Sequence, residues 1–255
     1  MIDDVIKVAK EAGNIVKEGF GSNLRIEYKS NESNLVTQID KASEKFITDF
    51  IRKKYPAHGI LAEESGILKN SSEYFWVVDP LDGTTNFAHG LPIFSISIGL
   101  QKNGKTIIGV VFDVMQNILY SAEVGSGAFA NSKKIDVNSN DKLAHSVLAT
   151  GFPYNISENP ENAIEKFKAF LLKSRAVRRL GSAAIDFCYV AKGVYDGFWE
   201  VYLHPWDICA GKLIVEEAGG LVTDFDGNEI DIYSKKVLAC NGLIHNSMLE
   251  ILKNN

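Results

Sequence analysis

The sequence predicts an α+β half packed on an α/β half, and three observations carry that expectation. Apolar residues recur at helical spacing over the first 55 or so positions, a run of short strands follows the stretch Trp76–Phe87, and strands alternate with helices beyond a polar segment at 138–145. The change of pattern places a boundary between residues 1–140 and 141–255. A chain of 255 residues can bury a substantial core, as one large domain or two packed halves. Its 45% hydrophobic and 23% charged content is that of a globular protein. A net charge of −5 leaves no electrostatic footprint for nucleic acid and suits a protein that uses carboxylates as cation ligands. No apolar run approaches the ~20 residues of a membrane span. Asp3 and Asp4 beside the first apolar residues do not form a signal-peptide pattern, so no membrane association and a cytoplasmic location are expected.

In chain order, Ile2, Val5, Ile6, Ala9, Ala12, Ile15, Val16 and Phe20 predict an amphipathic helix ending near Gly19 or Gly21. The polar run from Lys29 to Asn34 reads as a mobile loop. A second helix shows an apolar face of Ile39, Phe46, Ile47, Phe50 and Ile51 and ends before Pro56. Asp40 falls in its first turn, where the simplest reading is a favourable charge at the positive helix end. Gly59–Ala62 is a short strand that runs into Glu63 and Glu64. Tyr74–Val78 is a second apolar strand, expected to stop at Asp79 because Pro80 has no N–H to donate.

The chemistry begins where that strand ends. Asp79 and Asp82 share a tight turn, Gly83 permits a backbone conformation closed to other residues, and Thr84 or Thr85 can cap a following helix. Asp-x-x-Asp-Gly alone is more often a solvated loop. The repetition of carboxylates at the ends of two strands, Glu63 and Asp79 being about 16 residues apart, points instead to three or four acids round one point. Hard cations such as Mg²⁺ take oxygen ligands and bind between carboxylates and phosphate, and free N–H groups at a helix start suit the phosphate.

A meander follows, with strands near Ile93–Leu100, Thr106–Phe112 and Ile118–Glu123 and a hairpin at Asn103-Gly104. Gly125-x-Gly127-x-x-Ala130 has the letters of a dinucleotide-binding loop, but the turn residues after it predict a strand connection rather than an opening helix. The second half reads as strand 146–150, helix 160–172, strand 176–180, helix 182–192, strand 196–202, helix 206–218, strand 220–225 and a short terminal helix. Asp207 sits at the start of the helix from 206, where it reads as an N-cap or, beside the strand carrying Glu200, as a further metal ligand. Cys188, Cys209 and Cys240 are widely spaced and read as buried thiols rather than a disulfide or zinc site.

These segments carry a resemblance. Trp76–Phe87, Trp206-Asp207-Ile208-Cys209-Ala210-Gly211 and Glu216–Gly220, with Leu35-Val36-Thr37-x-x-Asp40, Glu63-Glu64-Ser65 and Gly181-Ser182-Ala183-Ala184, resemble the inositol monophosphatase family of Mg²⁺-dependent phosphomonoesterases over nearly the whole chain. The resemblance implies a layered αβαβα sandwich, a site between the two halves, and a homodimer. It implies one Mg²⁺ on Glu63, Asp79 and the Leu81 carbonyl, a second on Asp79, Asp82 and Asp207, and a weaker third near Glu63. It also implies Lys29 facing the site, Thr84 bonded to Asp40, and phosphate received by the Gly83 and Thr84 amides, which replaces the simpler reading of Asp40. Water activated by metal, Glu63 and the Thr84–Asp40 pair would attack phosphorus in line. Asp82, Glu200 and the backbone near Ala183 would meet the substrate's alcohol, with inositol 1-phosphate the first candidate. Family members similar in these motifs act on fructose 1,6-bisphosphate, histidinol phosphate, NADP or 3′-phosphoadenosine 5′-phosphate, and Glu200 could equally pair with the amine of histidinol phosphate. Arg175, Arg178 and Arg179 would bind a second phosphate, though an exposed basic strand end is the preferred reading. A bacterial family member that resembles this chain also contacts transcription machinery, which adds a regulatory binding role as an alternative.

Overall fold

The computed structural model describes residues 1–29, 34–68 and 72–254; positions 30–33 of the expected mobile loop lie outside the described residues. Strands β1 (Ile26–Tyr28) and β2 (Leu35–Thr37) flank that loop, between helices α1 (Ile2–Gly19) and α2 (Gln38–Lys54). The first large sheet is built from β3 (Gly59–Ala62), β4 (Gly66–Leu68), β5 (Tyr74–Asp82), β6 (Ser95–Lys102), β7 (Lys105–Asp113), β8 (Ile118–Glu123), β9 (Ala128–Ala130) and β10 (Lys133–Ile135), with the short helix α3 (Thr84–Ala88) after β5. The second contains β11 (Val147–Thr150), β12 (Ala176–Arg178), β13 (Gly197–Val201), β14 (Leu221–Thr223) and β15 (Lys236–Cys240), with helices α4 (Ala163–Lys173), α5 (Ala183–Ala191), α6 (Pro205–Glu217) and α7 (His245–Asn254).

Strand order in the eight-stranded sheet is β10-β9-β8-β7-β6-β5-β3-β4, and in the five-stranded sheet β12-β11-β13-β15-β14. Three apolar clusters define the layering. Val5, Val8 and Val16 of α1 and Ile47 and Ile51 of α2 pack on Trp76, Ile96 and Val110 of the first sheet. On its other face Val111 and Tyr120 meet Phe187 and Val190 of α5 and Ile214 of α6, which in turn cover Phe198 and Ala239 of the second sheet. Phe170 of α4 and Met248 and Ile251 of α7 close the far side over Trp199 and Leu238. The result is a layered αβαβα sandwich in which each fully buried apolar side chain contributes roughly 1.5–3 kcal/mol.

The strand β5 departs from expectation. It runs on through Pro80 to Asp82, because a bulge against β6 between the Asp79↔Ser97 and Asp82↔Ser95 pairs accommodates the residue that cannot donate. Its parallel pairing to β3 ends at Ala62↔Val78, and the Glu63 amide donates to the Val78 carbonyl at 3.2 Å, so both strands deliver acids at the same edge. Neither Thr84 nor Thr85 caps α3; Gly83, at φ 99°, is the cap and Thr84 the first helical residue. The Asn103-Gly104 hairpin forms as read, with φ of 50° and 78°. Gly125 and Gly127 open no helix: their amides both donate to the Glu217 carboxylate, at 2.8 Å each, and a strand follows. The three cysteines are free and buried. Strand β15, an interior strand of the second sheet between β13 and β14, is absent from the sequence reading, although Val237-Leu238-Ala239-Cys240 is a continuous apolar run. No described helix is long and apolar enough to cross a membrane.

Candidate active site

Four loop ends meet at one edge of the first sheet. The exit of β3 brings Glu63, the bulge of β5 brings Asp79, Leu81 and Asp82, the start of α3 brings Thr84, and the start of α6 brings Asp207. With Lys29, Gly83, Tyr154, His204 and Trp206 they line a cavity of about 270 Å³, which opens into a cleft of about 980 Å³. Carboxylate oxygens of Asp79, Asp82 and Asp207 lie within 4.8 Å of one another, and Glu63 lines the same cavity.

Asp207 reaches this point because α6 rests directly on the first sheet. Gly99 and Gly109 stand opposite each other in the β6–β7 ladder. A Cβ on Gly99 would lie 2.3 Å from the Cys209 Sγ, and one on Gly109 2.7 Å from the Ala210 carbonyl oxygen, so only a bare backbone admits the helix. Asp207 is the third residue of the helix rather than its cap; His204 is the cap, and its amide donates to Asp207 at 2.7 Å. Asp40 occupies the same position in α2, where it accepts from the Thr37 amide at 2.9 Å and from the Thr84 hydroxyl at 2.9 Å. The Thr84 hydroxyl is also 3.0 Å from the Leu81 carbonyl. Asp82 is anchored through one oxygen, which accepts from Ser182 at 2.5 Å, the Ala184 amide at 2.9 Å and Ser95 at 3.3 Å.

The electrostatics of the cluster are those of an unneutralised cation site. Burial raises the carboxyl of Asp79 well above its ordinary value, and Glu63, Asp82 and Asp207 add to the rise by repulsion. Burial and then Asp82 raise Asp207 in the same way. Burial also raises Asp82, against the hydrogen bonds from Ser182 and Ala184, and raises Glu63 against Lys29. Lys29 donates to Glu63 at 2.7 Å and to Glu64 at 2.5 Å. Burial works against its charge, but the two carboxylates outweigh that effect and its pKa is raised. Converging buried carboxylates with a carbonyl beside them are relieved only by protons or by cations. An all-oxygen set of this kind fits a hard divalent ion and not a thiophilic one.

Of the residues expected at the site, Glu63, Asp79, Leu81, Asp82, Asp207, Gly83, Thr84 and Lys29 share the small cavity, while Asp40 stands behind Thr84. Ala183 and Glu200 line the adjoining cleft, where the Glu200 carboxylate lies against Gly151 and burial pushes its pKa to about 8. Of the three arginines only Arg179 lines the cleft. Sequence reasoning missed Ser95 and Ser182, which hold Asp82, and Asp186, a buried carboxyl on the cleft wall with one oxygen lacking a hydrogen-bond partner among the described residues. Ser182 carried a readable signal, since a Gly-Ser pair before the apolar helix 182–192 marks an N-cap, and it does cap α5.

Comparison with known proteins places this geometry. The model of the inositol monophosphatase family matches residues 1–255. The chain is 42% identical to the phosphatase IMPL1, chloroplastic, of Arabidopsis thaliana, over 98% of this chain and 69% of that protein. It is 44% identical to the Nus factor SuhB of Pasteurella multocida, over 94% of this chain and 90% of that one. The solved inositol monophosphatase from Anabaena (Nostoc) sp. PCC 7120 superposes with a TM-score of 0.90 at 40% identity, covering 99% of this chain and 95% of that one. Sequence, layering and the converging acids agree, and the chain belongs to the inositol monophosphatase family.

Proposed function

We propose that this protein is a Mg²⁺-dependent phosphomonoesterase that hydrolyses a small phosphorylated polyol, with inositol 1-phosphate the foremost candidate. The observation that carries the reading is the approach of Asp79, Asp82 and Asp207 to within 4.8 Å beside Glu63, in a cavity also lined by Thr84, whose hydroxyl is held from behind by Asp40. Glu63, Asp79 and the Leu81 carbonyl would hold one Mg²⁺, Asp79, Asp82 and Asp207 a second, and Glu63 would lie beside a weaker third. Bound there, Mg²⁺ supplies acidification of water, polarisation of the phosphoryl group and charge for the departing alkoxide.

The chain's own residues do the rest. The Thr84 hydroxyl, held by Asp40 and the Leu81 carbonyl at the cavity wall, would orient the attacking water, with Glu63 and Asp40 as the proton-accepting carboxylates. With Gly83 in a left-handed turn at the start of α3, the Gly83 and Thr84 amides would receive the phosphate oxygens. Lys29 would leave Glu63 as cation charge replaces its own. Glu200 would accept a hydroxyl of the alcohol, with Ala183 forming the floor beside it.

The polyol reading is preferred over a bisphosphate because Arg175 and Arg178 do not line the cleft, which leaves Arg179 and Lys235 as its arginine and lysine beyond Lys29. Phosphate release from inositol 1-phosphate, fructose 1,6-bisphosphate, histidinol phosphate, NADP and 3′-phosphoadenosine 5′-phosphate, with Mg²⁺ and with excess chelator, tests the choice. A kcat/KM far higher on fructose 1,6-bisphosphate would displace the polyol reading. The homodimer of the family belongs to this proposal, and sedimentation at micromolar concentration checks it. A regulatory role at the transcription machinery is the second reading, supported by the relative named Nus factor SuhB. Binding of RNA polymerase components that survives Asp82→Asn would separate that role from catalysis.

A further inference from the structure

Helix α2 touches the candidate site at three places from one face. Asp40, Ser43 and Glu44 are spaced i, i+3 and i+4, so their side chains emerge on the same side of the helix. Asp40 holds the Thr84 hydroxyl at the start of α3. The Ser43 hydroxyl donates at 2.8 Å to the carbonyl of Pro80, inside the bulge that separates Asp79 from Asp82. Glu44 accepts the amides of Glu64 at 2.7 Å and Ser65 at 2.8 Å, one on each carboxylate oxygen, in the turn that leaves β3 directly after Glu63.

The burial of Glu44 is the informative feature. It is 4% exposed, and a glutamate is almost never buried without a compensating partner. Turn amides at a strand exit are ordinarily satisfied by water, so a turn of this kind does not require a buried carboxylate to end a strand. A carboxylate that takes two consecutive amides does impose a fixed backbone direction, because charge-assisted bonds of this kind are short and geometrically demanding. The residue whose direction is fixed is Glu63. The bond from Ser43 to Pro80 fixes the other strand end from the same turn of helix.

We propose that Glu44 is a positioning residue for Glu63, and that the Asp40–Ser43–Glu44 face of α2 sets the separation between the strand ends carrying Glu63, Asp79 and Asp82. The inference deepens the proposed phosphatase reading, and its metal-binding arm stands apart from catalysis. Glu44 itself lines neither the cavity nor the adjoining cleft.

The test compares Glu44→Ala, Glu44→Gln and Ser43→Ala with Thr48→Ala. Thr48 is buried one turn further along α2, and among the described residues its hydroxyl bonds only carbonyls of its own helix, at Glu44 and Lys45, so its loss costs stability without reaching the site. Two readouts are taken on each purified full chain: affinity for Mn²⁺ alone by electron paramagnetic resonance, and kcat and KM for Mg²⁺-dependent phosphate release, with melting temperature recorded alongside. Glu44→Ala is expected to weaken Mn²⁺ binding and lower kcat by about 10- to 100-fold each, the range for residues that orient a metal's ligands, with KM little changed. Glu44→Gln keeps one acceptor and is expected to fall between Glu44→Ala and the native protein, while Thr48→Ala shifts melting temperature only. Should Glu44→Ala fail to fold, Glu44→Gln and Ser43→Ala carry the comparison. Variants at 44 whose Mn²⁺ affinity and kcat match Thr48→Ala would overturn the proposal. Weakened Mn²⁺ binding in a protein that releases no phosphate from any substrate would support it while removing the phosphatase reading.

Discussion

At Asp82 one carboxylate oxygen is committed to Ser182, Ser95 and the amide of Ala184, which leaves the other for the cleft. Asp82→Asn keeps the shape of that anchor but removes a charge from the proposed cation site, so kcat should fall by roughly 10²–10³-fold or more with the fold intact. Asp40→Asn should cost about 10²–10⁴-fold by disabling the Thr84–Asp40 pair, with circular dichroism unchanged. Gly83→Ala acts differently: at φ 99°, with the Ile93 carbonyl oxygen 3.0 Å from where a Cβ would sit, it should destabilise by ~1–3 kcal/mol in denaturant melts as well as disturb turnover. The positions of Glu63, Asp79, Asp82 and Asp207 were legible because each acid sits at the end of a strongly patterned strand or the start of a helix. Asp40 was not legible in that way. Its first-turn position is fully explained by the capping box with Thr37, and only the tertiary contact with Thr84 gives it a second duty. Glu44 and Ser43 were hidden for the same reason, since nothing in a helix sequence marks which polar residue will face a neighbouring turn.

Among the elements, α6 shows how packing rather than local propensity places a ligand. The facing pair Gly99 and Gly109 forms a flat spot in the β6–β7 ladder on which Cys209 and Ala210 lie. Gly109→Ala must push the helix away from backbone, because its Cβ would meet the Ala210 carbonyl oxygen at 2.7 Å. A loss of about 1–3 kcal/mol is expected from overpacking, together with weaker metal binding as Asp207 moves with the helix. A variant of normal metal affinity and normal stability would contradict this placement of α6. A glycine inside a strand hints at close backbone approach, but the sequence does not say which element approaches. The elements with clear periodicity or a turn signal, such as α1, α2 and the β6–β7 hairpin, appear where they were read. Strand β15 escaped because its apolar run has no alternation, being covered on both faces by α5, α6, α4 and α7. The extension of β5 past Pro80 escaped because a bulge, which a sequence does not announce, absorbs the missing donor.

For the molecule as a whole, the acids that make the site work against the metal-free fold. Burial raises Asp79 and Asp207 well above the ordinary carboxylate range, Glu64 to about 7 and Glu200 to about 8. A carboxyl whose pKa is higher when folded holds a proton that the unfolded chain releases, so its contribution to stability falls as pH rises from the ordinary 4.5 through about 8 and is constant above. The melting temperature of chelator-treated protein should therefore fall between pH ~5 and ~8. Saturating Mg²⁺ should flatten that slope, and at 100 times its Kd it should add ~2.7 kcal/mol to the unfolding free energy. Whether the converging acids hold Mg²⁺ for phosphate ester hydrolysis is read out by phosphate release from inositol 1-phosphate by native protein and by Asp82→Asn, each with Mg²⁺ and with chelator. Native protein is expected to release phosphate with Mg²⁺ alone, and chelator or the substitution to abolish that release. Release that persists in chelator or in Asp82→Asn would rule out catalysis through a metal held by these acids.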